Sequence, residues 1–506
     1  MQERVGRSVQ GEGGEVADIV RPPVDRGSRL SAISLRPLTG AVALAIADWC
    51  AVFACLVLVW WLRRGPLTYV FPDLVPITPL RHFVVRLYGL APWVIAFAAA
   101  RLYTRRTLFW EETRRVVYAC TLAMFVAVAI SFAQRRGADL SRLVIGGVWL
   151  TSIVVVPVVR LQAKRMLDAL GLWRTRVLVV GAGQVGTQVI ERLRGNPDLG
   201  YEPVALVDDD AGANGRQHAG LPVYGPLESI PDLVRRLGVK DVVVAMPELP
   251  RERLYHLISI CEGHVQSIRL VPDLFGLASV GVEAEDLDGI LLLNMRWNLA
   301  KPGNLAVKRV FDVIVATLTS LLLAPLLLLI AVAIRVDSGG PVFFVQERLG
   351  RGRRTFRCVK FRTMYVDNEE RLRSHLASRA DVRADWERFA KLKTADPRVT
   401  PVGRLLRRWS LDELAQLINV LRREMSLVGP RPYLPSEMQR MGDIAETVLK
   451  APPGMTGLWQ VSGRNNLDFE QRLRLDEFYT RNWSLWLDVV VLLKTVGAVL
   501  RGEGAY

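Results

Sequence analysis

Four apolar segments dominate the first 160 residues, at about 39–62, 82–100, 116–133 and 143–159. Each approaches the roughly 20 helical residues needed to cross a bilayer. They predict an N-terminal four-helix transmembrane bundle over 39–160, preceded by a polar tail over 1–38 that is rich in Gly and Arg and expected to be disordered. Arg86 and Pro92 make the second segment the weakest. From residue 174 short apolar runs alternate with helical stretches. Arg176–Val180, Pro203–Val207 and Val239–Ala245 read as strands, with helices through Leu193 and from Arg251 to Cys261. That order predicts a parallel, Rossmann-like α/β domain over 174–285. A last apolar run, Val313–Ile334, is interrupted by Pro325 and followed by basic, soluble sequence.

Charge decides how these segments meet the membrane. The connection 101–115 carries Arg101, Arg105, Arg106, Arg114 and Arg115, and Arg160, Lys164 and Arg165 follow the fourth segment. The positive-inside rule places both in the cytoplasm, and the Rossmann-like domain with them; Arg63, Arg64, Arg135 and Arg136 then fall outside. A helix spanning 313–334 would put the basic C-terminal region outside as well. Proline in a helix removes one backbone bond and kinks it, so a re-entrant membrane helix broken at Pro325 fits the charge better. Asp48, inside the first segment, reads either as a functional group or as a paired charge near the interface.

The whole chain has 506 residues, half of them hydrophobic, and a formal net charge of +16. Such a charge suits anionic lipids and phosphate-bearing substrates. No zinc-finger spacing or basic heptad region accompanies it, so nucleic acid is not an expected partner. The five cysteines (Cys50, Cys55, Cys120, Cys261, Cys358) lack CxxC spacing and read as small core residues.

Candidate chemistry concentrates after residue 340. In Arg407-Arg408-Trp409-Ser410-Leu411-Asp412-Glu413-Leu414, Ser410 and Glu413 have the spacing of a capping box. A helix start also directs free N–H groups at an anion, and Asp can serve as a covalent nucleophile. Lys360-Phe361-Arg362-Thr363-Met364 lies in a predicted β-hairpin whose first strand is Pro341–Gln346. Asp396-Pro397-Arg398-Val399-Thr400 precedes the Asp-Glu pair. Val428-Gly429-Pro430-Arg431-Pro432 and Pro453-Gly454-Met455-Thr456-Gly457-Leu458-Trp459-Gln460 follow it. Prolines on both sides of Arg431 fix an extended backbone, and an Arg fork matches phosphate oxygens. Tyr479, Trp483 and Trp486 read either as headgroup-level aromatics or as ordinary helix core.

These motifs, in this order over about 305–506, resemble the bacterial polyprenyl-phosphate hexose-1-phosphate transferases, the monotopic phosphoglycosyl transferases. The bundle and Rossmann-like unit resemble the long form of that family, and the ending Arg501–Tyr506 is most like its undecaprenyl-phosphate galactose phosphotransferase type. The resemblance implies a re-entrant membrane helix plus α/β catalytic domain over 305–506. It also implies transfer of a hexose-1-phosphate, galactose first and glucose next, from a UDP-sugar to undecaprenyl phosphate. Asp412 is the implied nucleophile and Mg²⁺ ligand, with Glu413 as its partner. Arg407 and Arg431, with Lys360 and Arg362, are the implied phosphate binders, and Pro453, Gly454, Thr456, Gly457, Gln460 and Arg464 the nucleotide-sugar loop. Bacterial inner-membrane lipids, a cytoplasm-facing catalytic domain and a homodimer are implied with them. The chain departs from the family's Ser-Pro break by carrying Ala324-Pro325, which removes a hydroxyl that would satisfy freed backbone groups.

Gly181-x-Gly183-x-x-Gly186, after a strand, with Asp208 further on, has the context of a dinucleotide site. No hydride-transfer constellation stands nearby, and tight helix–strand packing explains the glycines equally well. The rival readings are a membrane-tethered NAD-dependent nucleotide-sugar oxidoreductase or epimerase, and a non-enzymatic scaffold for polysaccharide assembly.

Overall fold

The computed structural model describes residues 30–72, 79–81, 91–133, 142–210, 215–272, 282–287, 290–295, 297–378, 396–463 and 467–501. They divide into two compact units, 1–273 and 274–506. Among the described residues four helices are long and apolar enough to cross a membrane: three in the first unit and one in the second, at Pro302–Ser338.

In the first unit α1 (Leu30–Arg64), α2 (Ala91–Ala99), α3 (Phe109–Ala133) and α4 (Arg142–Ala169) bury one shared core. Helix α1 begins inside the tail expected to be disordered, whose residues 1–29 lie outside the described residues. Only nine residues of the second apolar segment are described as helix; Arg86 lies outside them. Asp48 proves to be a paired charge. Its carboxylate accepts from Arg160, which also donates to Glu112 at 3.0 Å and to the Leu102 carbonyl at 2.8 Å. Lys164 completes the group with a 2.5 Å bond to Glu112.

The bundle continues directly into an α/β layer. Strands β1 (Thr175–Val180), β2 (Tyr201–Val207), β3 (Gln217–His218), β4 (Leu221–Tyr224), β5 (Asp241–Val244) and β6 (Ser267–Leu270) form one sheet in the order β3-β4-β2-β1-β5-β6. All neighbours are parallel except β3 and β4. The strands are apolar on both faces because helices cover both. Arg106, from the turn after α2, stacks on Trp173 and Tyr201 at 4.9 and 5.1 Å. It also donates to the Gly200 carbonyl and, at 2.7 Å, to Thr175 Oγ1.

The glycine turn opens α5 (Gln184–Arg194). Gly181 has φ +109°, and a Cβ there would meet Met246 at 2.6 Å; one on Gly186 would collide with the Gly181 carbonyl. Gly183 has open space around its Cβ direction. Asp208 accepts from the Ala182 N–H at 2.6 Å.

The second unit opens with an antiparallel hairpin, β7 (Val282–Leu287) with β8 (Ile290–Met295). Then comes α6 (Pro302–Ser338), one helix of 37 residues with Pro325 inside it rather than two separate helices. No residue from Thr317 to Leu329 is buried, so its central third presents an uncovered apolar surface. Its ends are covered: Lys308, Asp312 and Ala316 are buried near one end, Ile330 and Ile334 near the other. The predicted hairpin is β9 (Phe343–Leu349) paired antiparallel with β10 (Thr355–Phe361). Helices α7 (Pro401–Arg408) and α8 (Leu417–Leu421), a parallel strand pair β11 (Ser426–Val428) and β12 (Gly454–Thr456), then α9 (Phe469–Arg481) and α10 (Leu485–Arg501), complete the unit. Tyr479 and Trp483 are buried in its core, so that pair is helix core and not a headgroup belt.

Candidate active site

Each functional side chain is placed by a local device. Thr400 caps α7 by accepting the Gly403 N–H at 2.9 Å, and Pro401 holds the first helical position. Gly403 lets α7 lie directly on the Thr363 backbone, where any Cβ would collide. One helical turn on, Arg407 donates from Nε to Thr363 Oγ1 at 2.9 Å. Asn419 is fully buried and ties α8 to β10: its Oδ1 accepts the Val359 N–H at 2.9 Å and its Nδ2 donates to the Arg357 carbonyl at 2.7 Å. This fixes Lys360 beside Glu413, with Nζ to Oε1 at 2.7 Å.

The capping box at Ser410 is not formed. Ser410 has φ +54°, and its side chain makes no cap bond. Residues Leu411–Gln416 form a 3-10 helix instead, and the Glu413 carboxylate goes to Lys360. Asp412 and Glu413 therefore sit on a tight turn whose left-handed entry residue aims the pair at a cavity that both line. Asp412 has no ion pair among the described residues. Burial, and then the neighbouring Glu413 charge, push its carboxyl up to about 6. Burial lowers the Arg407 guanidinium, opposed by the Asp412 charge.

Lys360, Arg362, Arg407, Asp412, Glu413, Thr456 and Gln460 all line one cavity of about 990 Å³. Several of these side chains are already engaged, Arg407 with Thr363 among them. Arg362 donates to Ser338 Oγ at 2.8 Å and to the Gly339 carbonyl, tying it to the end of α6. Lys360 holds Glu413. Arg431 is not on the wall; its guanidinium stands 5.8 Å from the ring of Trp459, which is. Pro453, Gly454 and Gly457 belong to the support. A Cβ on Gly454 would land on the Gly429 backbone nitrogen, and one on Gly457 would meet the Gly429 carbonyl at 2.5 Å. Gly454→Ala is therefore expected to cost about 1–3 kcal/mol through overpacking, read as a lowered melting temperature. An unchanged melting temperature would show that the two loops can separate freely. Pro325 is not on the cavity wall, although its neighbours Leu323 and Leu326 are. Arg464 lies outside the described residues. Gly181, Gly183, Gly186 and Asp208 lie in the other unit.

Sequence reading missed Gln346, Arg348 and Thr363. The signal for the first two was present: Phe344, Gln346 and Arg348 alternate along β9 and all face the cavity. What covers them could not be read from the strand itself.

The chain is similar to known proteins along most of its length. The bacterial sugar transferase family model matches residues 303–502, and a CoA-binding domain model matches 100–272. The undecaprenyl-phosphate galactose phosphotransferase of Salmonella typhimurium is 34% identical over 477 residues, 92% of this chain and 97% of that protein. The UDP-galactose-lipid carrier transferase of Erwinia amylovora is 36% identical over 80% of this chain and 84% of its own length. The exopolysaccharide production protein ExoY of Rhizobium meliloti is 44% identical over 199 residues, 39% of this chain and 88% of that protein. With its cavity, its Asp-Glu turn and full-length relatives in agreement, the chain belongs to the bacterial sugar transferase family.

Proposed function

We propose that the protein transfers hexose-1-phosphate, galactose in preference to glucose, from a UDP-sugar to undecaprenyl phosphate, as a first membrane step of O-antigen, capsule or exopolysaccharide synthesis. The observation that carries this is the cavity itself. Leu323 and Leu326 of the membrane-type helix α6 form part of the same wall as Asp412, Glu413, Lys360 and Arg407. Val496 and Val499 of α10 extend its apolar side. A lipid tail and a charged diphosphate can thus meet in one space.

In the first step an Asp412 carboxylate oxygen attacks the β-phosphorus of the UDP-sugar. The bond from that phosphorus to the bridging oxygen breaks, and UMP leaves with the electron pair. In the second step a phosphate oxygen of the lipid attacks the same phosphorus, the Asp412–phosphorus bond breaks, and undecaprenyl-diphosphate-sugar departs. Lys360 holds Glu413 beside the nucleophile, while Arg407 faces the accumulating phosphate charge. The residues fit a magnesium ion. Among the described residues no group of three His, Cys, Asp or Glu side chains could hold a metal, but Asp412 is an unpaired carboxylate beside a diphosphate site. Mg²⁺ typically takes one or two carboxylates plus substrate phosphates, and would neutralise the leaving diphosphate.

Two packing facts support membrane placement. Arg309 donates to the Val420 and Met425 carbonyls, while Ile330 and Ile334 cluster with Ala415 and Phe361. Residues 309 and 330 would stand about 30 Å apart on a straight helix, yet the segments they meet are only a few residues apart. A bend at Pro325 would return the chain to the same face, which supports a re-entrant course for this helix. Arg106 joins the basic turn of the bundle to the parallel sheet, which supports a cytoplasmic location for both, in line with the charge of the turn.

The test is UMP release from UDP-galactose and UDP-glucose in bilayer discs with Mg²⁺. One equivalent per enzyme is expected without lipid phosphate, and sustained turnover with it. Sustained release that ignores undecaprenyl phosphate would overturn the transfer reading.

A further inference from the structure

Two guanidiniums flank one indole at the edge of the cavity, and a third stands beside the loop that carries one of them. Arg431 and Arg472 stand 5.8 and 5.1 Å from the Trp459 ring centre. Arg348, on the cavity wall, donates to the Pro432 carbonyl at 3.2 Å and to Gln346 Oε1 at 2.7 Å, next to the Arg431 backbone. Burial and then the Arg431 charge hold both Arg348 and Arg472 below the usual guanidinium range, so each meets Arg431 as a like charge.

The charges of Glu437, Glu413 and Asp468 offset this cluster only in part. Among the described residues none of the three forms an ion pair. The nearest buried acid, Asp476, accepts from the Arg431 backbone N–H at 3.0 Å and from the Tyr433 hydroxyl at 2.9 Å, not from a guanidinium. Glu437 accepts from the Leu434 N–H. The Arg348 Nε is buried and has no partner. Collecting like charges costs free energy, and a buried N–H left unpaired costs more. The local backbone is fixed as well: prolines flank Arg431, and Asp476 holds the turn from both sides.

We infer that Arg431 and Arg472 at Trp459, with Arg348 beside the Arg431 loop, form a binding site for a phosphate monoester, separate from the Lys360–Arg407 end where the phosphosugar is held. The inference rests on the two-step reading above. In that reading the species that leaves in the first step and the species that enters in the second are both phosphate monoesters, UMP and undecaprenyl phosphate. A forked, triply cationic site matches such a dianion. One site can serve both because they occupy the cavity in turn. Arg348 and Arg472 are the new members.

The experiment uses the full-length enzyme in bilayer discs and the variants Arg348→Gln, Arg472→Gln and Arg472→Lys. Inhibition constants are measured for UMP and for uridine, and KM for undecaprenyl phosphate and for UDP-galactose. The glutamine variants are expected to weaken UMP or undecaprenyl phosphate by about tenfold or more, with uridine inhibition unchanged. A change for UMP alone assigns the site to the nucleotide product, a change for the lipid alone to the acceptor, and a change for both to shared use. Arg472→Lys is expected to recover part of the loss through its charge. Unchanged UMP and lipid constants, or equal weakening of uridine, would overturn the inference. Failure of the transfer reading itself shows separately, as wild-type enzyme that acquires no radiolabel from sugar-labelled UDP-galactose.

Discussion

Asp412→Asn is expected to abolish lipid-dependent UMP release, by a thousandfold or more in order of magnitude, and at the same time to raise the melting temperature of the magnesium-free protein at neutral pH. Both effects come from the same placement. The carboxylate is pushed up to about 6 by burial and by Glu413 beside it, so the folded protein holds it at a cost whenever it is charged. Its carboxyl sits above its unfolded value, so the folded state binds the proton more tightly. Stability is therefore lost as the pH rises from about 4 through 6. An amide does not titrate, so the gain from Asn should be absent near pH 4 and fully present above about pH 7. The shift corresponds to about 1–3 kcal/mol, the lower end allowing for partial solvent exposure. Thermal unfolding in EDTA at several pH values measures it. A variant that retains turnover would remove Asp412 as nucleophile. A gain independent of pH would remove the electrostatic account of its cost.

Lys308→Met should have the largest effect on folding. Lys308 is 1% exposed and donates to Asp488 Oδ2 at 2.7 Å, to the Val428 carbonyl at 2.9 Å and to the Tyr479 hydroxyl at 3.3 Å. Asp488 also accepts from Tyr479 at 2.6 Å and Trp483 at 3.0 Å; Asp312 lies 3.9 Å from the ammonium and holds Ser426 and Leu427. Removing the cation leaves two buried carboxylates facing each other, a loss of about 3–5 kcal/mol. The same network carries the strand before Arg431, so surviving protein should also turn over poorly. Lys308→Met with Asp488→Leu should recover part of the stability, because only Asp312, which keeps its bonds from Ser426 and Leu427, then remains as a buried carboxylate. Equal melting temperatures for wild type and the single variant would show that the network contributes little.

The elements with a strong local pattern were legible in the sequence. The parallel strands, the Arg251–Cys261 helix and the β9–β10 hairpin depend on short-range periodicity, and each formed close to its expected bounds. The cluster of Lys360, Arg407, Asp412 and Glu413 was also foreseen, because ordered motifs carry a family resemblance further than composition does. What failed were features decided by distant partners. Ser410 has a capping spacing, but Lys360, fifty residues earlier, takes the glutamate that a box would need. Arg362 looked like a free cation and is tied to the end of α6 by a contact no local motif encodes. Arg348 and Arg472 were overlooked because single arginines on a strand and a helix carry no spacing; only the fold brings one to the Arg431 loop and the other to Trp459.

Arg106 has a practical consequence. Its guanidinium is held between two aromatic rings while also bonded to the strand that begins the sheet. Gly200 must be glycine for this, since a Cβ there would strike both Arg106 and Trp173. The turn after α2 and the parallel sheet are thereby keyed together, and a torque on one is transmitted to the other. An antibody fragment raised against the sheet would therefore report the tilt of the bundle helices, giving imaging a rigid handle outside the bilayer.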